Sequence, residues 1–247
     1  IGFNAHVSIQ PYSAPIDKSK IKNDVIQSLS KDLIYTNSGE GVLFNKDNTK
    51  GLVLRGYSTS DFSKLSVIKN ENFEGNPDEL INNSISIGKD LAIEYNLNIG
   101  DQILIMSSSG IETIIGNIPK QEPFIITSFF DSGLSDFDTN VAFLNIKSLE
   151  SLFNLAESER HLEIYLKDPI KIEKVKLQLE NIFTDEFVYT WADMNSSLFS
   201  ALKVERNVMF IILSLIIIVA AFNIISGLTI LVKNKTRDIA ILKSIGV

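Results

Sequence analysis

In the segment DSGLSDFDTN, the carboxylates of Asp131, Asp136 and Asp138 are the densest set of side chains able to hold a cation. Calcium loops deliver oxygen ligands at set positions around a glycine turn. That spacing is missing here, so the segment reads as a solvated loop. His6 falls in one predicted strand and His161 begins another, with no ligand-like spacing to carboxylates; both read as structural histidines. Gly39-Glu40-Gly41 lacks the third glycine and the following helix of a dinucleotide fingerprint, and reads as a turn. No Walker A, HExxH or GxSxG pattern occurs. Cysteine is absent, which excludes a disulfide framework, a thiolate nucleophile and a Cys-ligated metal. The Asn-X-Ser/Thr triplets at Asn82 and Asn195 read as coincidences, and the one at Asn234 falls on the side expected to be cytoplasmic. No catalytic constellation, metal site or cofactor site is expected in the chain.

What the chain does carry is an apolar run from Val208 to Val232, VMFIILSLIIIVAAFNIISGLTILV, 25 residues without a charge. At ~1.5 Å per helical residue it spans ~37 Å, enough to cross a ~30 Å hydrocarbon core with some tilt. Up to Asn207 there are 19 Lys/Arg against 29 Asp/Glu, a balance of −10. After the run, Lys233, Lys235, Arg237 and Lys243 face one acid, Asp238. The acidic body argues against nucleic acid as a partner. Basic residues concentrate on the cytoplasmic side of spanning helices, so 233–247 is expected inside and 1–207 outside. An export signal or an earlier membrane helix is then expected ahead of Ile1, and the chain is expected to be a fragment cut at both ends.

The outer part is predicted as α+β. AHVSIQ alternates as a strand, and Asp17 to Ser30 carries Ile21, Val25 and Leu29 at helical spacing. LIYTN, GVLFN and KGLVLRGY are strand-like. Gly88 precedes a helix bearing Leu91, Ala92 and Tyr95, followed by a turn at 98–101 and the strand QILIM. IETII and PFIITSF are predicted as strands around GNIPKQE, a loop too long for a tight hairpin turn. VAFLNI, a helix over 148–155, HLEIYLK, a helix over 170–183 and EFVYT complete the domain. The order β-α-β, a β-rich middle, then β-α-β-α-β predicts a terminal subdomain over 1–42 and 141–190, with 43–140 inserted as a second. A stalk helix over 191–207 leads into the membrane span 208–232 and the cytoplasmic segment 233–247.

In that last segment Thr236 is predicted as an N-cap, Asp238 as a first-turn acid and Gly246 as the closing residue. Ile239, Leu242 and Ile245 recur at spacing three. So short a helix is marginal alone and must lean on something. The residues leave two surfaces open: the inner leaflet, with Lys and Arg toward anionic headgroups, or a partner protein.

WADMNSSLFSALKVERNVMFIIL and AAFNIISGLTILVKNKTRDIAILKSIGV resemble the second membrane helix and following cytoplasmic segment of the LolC/LolE permeases, within the MacB/FtsX superfamily. GKDLAIEYNLNIGDQILI and SDFDTNVAFLNI are similar to stretches of the family's outer domain. The resemblance implies a MacB-like periplasmic domain: a Porter subdomain over 1–42 and 141–190 and an inserted Sabre-like subdomain over 43–140. It implies a dimeric ABC permease, homo- or heterodimeric, with four membrane helices per subunit. Such a permease takes lipoproteins from the inner membrane and hands them to the periplasmic carrier LolA by mechanotransmission. ATP and Mg would sit in a separate LolD-like ATPase, so the chain itself is not expected to be an enzyme. By the same resemblance, Lys235, Thr236, Arg237, Asp238, Ile239 and Leu242 would contact the ATPase. Ile118, Pro119, Lys120 and Gln121 would form the carrier-binding hook. Met209 and Phe210 would meet lipoprotein acyl chains among the membrane lipid. A MacB-like efflux permease and an FtsX-like activator of cell-wall hydrolases are the alternatives within the class. A membrane receptor with an extracytoplasmic sensor domain is the alternative outside it.

Overall fold

The computed structural model describes residues 4–12, 14–45, 48–113 and 116–246, and all of their side chains except those of 108, 109, 111–113, 116 and 117. Its contacts divide the chain into Ile1–Met194 and Asn195–Val247.

The first unit begins with β1 (Val7–Pro11), where Val7 and Ile9 are wholly buried. The helix predicted from Asp17 is two short ones, α1 (Lys18–Ile21) and α2 (Asp24–Leu29). The Asn23 side chain accepts from the Val25 N–H at 2.9 Å and starts the second turn afresh, the local competition that makes Asn a poor helix-interior residue. β2 (Ser30–Asn45) then runs 16 residues straight through Gly39-Glu40-Gly41. The expected turn is absent there. A Cβ at Gly39 would lie 2.7 Å from the Phe153 ring, so glycine serves close packing rather than chain reversal. In order follow β3 (Asn48–Tyr57), α3 (Thr59–Phe62), β4 (Glu74–Gly75), β5 (Ser84–Gly88), α4 (Lys89–Tyr95), β6 (Gln102–Thr113) and β7 (Gly116–Phe130). The unit continues with α5 (Ser135–Asn140), β8 (Val141–Asn145), α6 (Ile146–Phe153), β9 (His161–Leu166), α7 (Ile172–Ile182), β10 (Glu186–Thr190) and α8 (Trp191–Met194).

The first four strands of the pairing order, β10-β1-β9-β2, form one antiparallel layer, in which β2 takes part only up to Thr36. Ile26 of α2 and Val175 and Leu179 of α7 bury against Ile9, Leu162 and Ile164 of this layer. From Asn37 onward β2 changes partners. It pairs with β3 on one side and β6 on the other, and β3–β8, β8–β5, β5–β7 and β7–β6 close a six-stranded ring. One core cluster draws on all six strands, among them Leu43, Leu54, Ile85, Ile105, Phe124 and Leu144, together with Leu91 of α4 and Leu149 of α6. Closure leaves these strands without the open edges that a sheet must otherwise protect.

This pairing draws the internal division elsewhere than at 43 and 140. The ring takes in β2 from Asn37 and also β8 and α6, which the sequence assigns to the terminal subdomain. The reason is visible in VAFL, 141–144, where every residue is buried. That is the mark of a strand covered on both faces. The chain enters and leaves side by side: Val7 stands opposite Thr190, and the Trp191 N–H donates to the His6 carbonyl at 3.0 Å.

The second unit is α9 (Ser196–Ser244), 49 residues with none buried, or ~74 Å of helix. The stalk expected over 191–207 is interrupted at Asn195, between α8 and α9. The separate helix expected to start at Thr236 does not form. No Gly or Pro interrupts 228–245, so the helix continues, and the Thr236 hydroxyl donates back to the Val232 carbonyl at 2.7 Å instead of capping. Gly246 follows the last turn with φ +86°, the closing role expected of it.

Candidate functional site

In the acidic segment 131–138 the carboxylates of Asp131 and Asp138 turn to separate partners rather than to a common point. Asp131 accepts from the Gly133 N–H at 2.9 Å, and both oxygens of Asp138 accept from the Ser132 N–H at 3.1 Å. Asp138 is buried, and that burial raises its pKa. Among the described residues no group of three His, Asp or Glu side chains could hold a metal ion. His6 presents Nδ1 to the Leu166 N–H at 3.0 Å and stacks edge-on to Tyr165. Burial lowers the pKa of both His6 and His161, the behaviour of neutral structural imidazoles.

β6 and β7 form a feature of another kind. β6 pairs with β2 only over Leu104–Ser107, and β7 pairs with β5 only from Ile125. Beyond those points the two strands pair with each other alone among the described residues, through Gly110↔Pro119, Ile111↔Ile118, Glu112↔Asn117 and Thr113↔Gly116. Six steps from Ser107 to Thr113 give ~20 Å of two-stranded ribbon beyond the ring. The register shifts between Met106 and Gly110, an irregularity that bends and twists a strand pair. The loop expected over GNIPKQE is therefore strand; the connection falls at 114–115, outside the described residues. Pro119 fits because this stretch of β7 has an unpaired side, where a missing N–H costs nothing.

Of the four hook candidates, Ile118, Pro119 and Gln121 are exposed on the ribbon. Lys120 is turned inward. Its Nζ donates to the Ser151 carbonyl at 2.8 Å and hydroxyl at 3.0 Å and pairs with Glu122 at 2.7 Å.

In α9 the apolar side chains from Val208 to Val232 are exposed throughout, Met209 at 63% and Phe210 at 70% among them. It is the one helix, among the described residues, long and apolar enough to cross a membrane. Past Val232 the same helix carries Lys235, Thr236, Arg237, Asp238, Ile239 and Leu242, all exposed, with Lys235 and Asp238 3.5 Å apart. Ile239 and Leu242 are three residues apart and so share a face.

A buried polar seam joins the antiparallel layer to the ring. Glu163 of β9 accepts from Arg55 Nη2 at 3.1 Å, Tyr57 Oη at 3.0 Å and Tyr165 Oη at 3.1 Å, and Arg55 Nη1 donates to Asn4 at 3.0 Å. Burial above all holds both tyrosine hydroxyls far above their usual range; the Glu163 carboxylate adds to the rise and the Arg55 cation opposes it.

No family model matches the chain. The lipoprotein-releasing system transmembrane protein LolC of Xylella fastidiosa is 29% identical over 197 residues, 78% of this chain and 48% of that protein. LolC of Neisseria meningitidis serogroup B is 30% identical over 213 residues, 85% of this chain and 51% of that protein. The chain belongs to the LolC/LolE family. It spans about half the length of the curated relatives it matches. Among solved structures, the periplasmic region of MacB from Actinobacillus actinomycetemcomitans aligns with 80% of this chain and 94% of that one, at 12% identity and a TM-score of 0.48.

The LolC/LolE-like stretch GKDLAIEYNLNIGDQILI is a continuous structural unit. Gly88 stands at the start of α4, Asn96 ends it in the left-handed conformation, and β6 follows into the ring. The seam, by contrast, was missed in the sequence. Its signal was present as Arg55-x-Tyr57 and Glu163-x-Tyr165, each a charge and a phenol two apart in a strand, hence on one face.

Proposed function

We propose that the protein is a permease subunit of a lipoprotein-releasing ABC transporter. In this reading it draws lipoproteins from the inner membrane and delivers them to a periplasmic carrier of the LolA type. The observation that carries it is the likeness to LolC over 85% of the chain. Residues 1–207 stand in the periplasm, 208–232 cross the membrane and 233–247 are cytoplasmic, as the distribution of basic residues supports. The layer of the two ends corresponds to Porter and the ring to Sabre. The ribbon, including Ile118 and Pro119, is the carrier-binding hook. Met209 and Phe210, near the outer end of the span, meet the acyl chains. Lys235 to Leu242 dock on a LolD-like ATPase, which supplies ATP, Mg and the hydrolysis, while a second permease subunit completes the transporter. This chain transmits motion and catalyses nothing.

The test is affinity purification of the whole permease from solubilised membranes. An ABC ATPase and the carrier should co-purify. Ile239→Asp or Leu242→Asp should weaken retention of the ATPase by roughly 30-fold, the loss of about 2 kcal/mol of apolar burial. Full retention and normal lipoprotein release by both variants would remove the docking role. Absence of any ATPase from the wild-type preparation would remove the transporter reading.

A further inference from the structure

α6 touches two parts of the outer domain through consecutive residues. Glu150 receives a bidentate pair from Arg160, at 2.6 and 2.8 Å, and a bond from Asn37 Nδ2 at 3.1 Å. Arg160 directly precedes β9, and Asn37 marks the point where β2 passes from the layer to the ring. Ser151, one residue on, meets the ribbon: its carbonyl and hydroxyl take the Lys120 ammonium, and its hydroxyl donates to Glu122 Oε1 at 3.2 Å. Lys120 and Glu122 are themselves paired at 2.7 Å. The Lys120 charge is thus neutralised and its donors are directed into the fold, which disfavours it as a contact for an acidic partner.

We propose that the Lys120–Glu122–Ser151 cluster is a positioning device: it fixes the angle at which the ribbon leaves the ring by tying the base of β7 to α6. Through Glu150 the same helix is tied to the layer of the two ends, so a displacement of that layer is passed to the ribbon. A two-stranded ribbon alone is a weak lever, since it is held by one ladder of hydrogen bonds and twists readily. A charged tether at its base, made to a helix packed in the ring core, removes the softest degree of freedom. The consequence for delivery rests on the carrier-binding reading above; the geometry of the tether does not.

The experiment is run on the complete permease complex. The segment has no cysteine, so spin labels at Ile118→Cys on the ribbon and Ile93→Cys on α4 report the ribbon's angle as a distance distribution. Carrier capture is read separately, by photo-crosslinking from position 118. Lys120→Met should broaden the distribution and lower capture about three- to tenfold, the size of one charge-assisted contact in a partly exposed cluster. Lys120→Arg should restore both. Ser151→Ala, which leaves the carbonyl contact, should give a smaller change in the same direction and serves if Lys120→Met does not fold. An unchanged distribution in Lys120→Met overturns the tether. A broadened distribution with undiminished capture overturns its role in delivery. If the wild type captures no carrier, the hook reading fails and the distribution alone decides the tether.

Discussion

Replacing Glu163 with alanine tests whether the polar seam holds the layer and the ring of the first unit together. The carboxylate is 4% exposed and accepts from three donors, Arg55, Tyr57 and Tyr165. Its removal leaves the Arg55 guanidinium with its bond to Asn4 and takes from the Tyr57 and Tyr165 hydroxyls the carboxylate they share. Truncating one partner of a buried ion pair costs about 3–5 kcal/mol because the other charge stays buried. At about 2–4 °C per kcal/mol for a domain of this size, the melting temperature should fall by about 10 °C. Glu163→Gln keeps the shape and one accepting oxygen but loses the charge, so it should fall by about half as much. The pair Arg55→Met with Glu163→Leu should recover most of the loss, since apolar replacement of a buried pair is often neutral. Near-UV circular dichroism of the detergent-solubilised chain gives the melts, and hydrogen exchange at 53–57 and 161–165 localises the opening. A Glu163→Ala melt within about 2 °C of wild type would refute the reasoning. So would a double variant less stable than either single one.

Gly88→Ala should be among the most damaging small substitutions, because a methyl there would overlap the Asp138 carbonyl and lie 2.6 Å from its Cα. Backbone cannot rotate aside, so a loss of about 3 kcal/mol or more is expected, read from the urea midpoint; an unchanged midpoint would show that α5 is free to shift. Acid should destabilise the domain through its histidines. A histidine whose folded pKa is depressed stabilises fully above its ordinary value, 6.5 for His6, and loses that contribution as pH falls through the folded value. Protonation also removes the Nδ1 acceptor from the Leu166 N–H, and His6→Asn, which keeps an acceptor and does not titrate, should flatten part of the decline. Asp138 acts in the opposite sense, since its raised pKa adds stability as pH falls toward 3.8, so the comparison is best made between about pH 7 and about pH 5. Stability that is flat across that window would contradict the assignment.

The long helix able to cross a membrane was legible because 25 uncharged apolar residues admit few other fates. Single strands and helices such as EFVYT and the α4 unit were legible for a related reason: their periodicity and caps are local. The pairing of strands was not. GNIPKQE reads as a loop because glycine and proline punctuate it, yet on a ribbon with one open side neither residue breaks the ladder. Gly39-Glu40-Gly41 reads as a turn because the ring of Phe153, more than a hundred residues away, supplies the real reason for glycine. VAFL gives no hint of whether it belongs with the ends or with the middle, since each holds a strand buried on both faces, β9 in the layer and β5 in the ring. Of the site residues, the stripe of Ile239 and Leu242 followed from spacing. The inward turn of Lys120 depends on Ser151, which nothing in the local sequence links to it.

The pairing of β1 with β10 has a further consequence. Val7 and Thr190 face one another across a strand pair, ~5 Å apart at the backbone, a gap that about two extended residues would bridge. Everything between them is, in connectivity, a single detour from what is otherwise a nearly uninterrupted path. Such a detour can be lengthened or exchanged without changing the spacing of its two ends. Residues 7–190 are therefore a cassette, whose contents can diverge while its two ends stay in register.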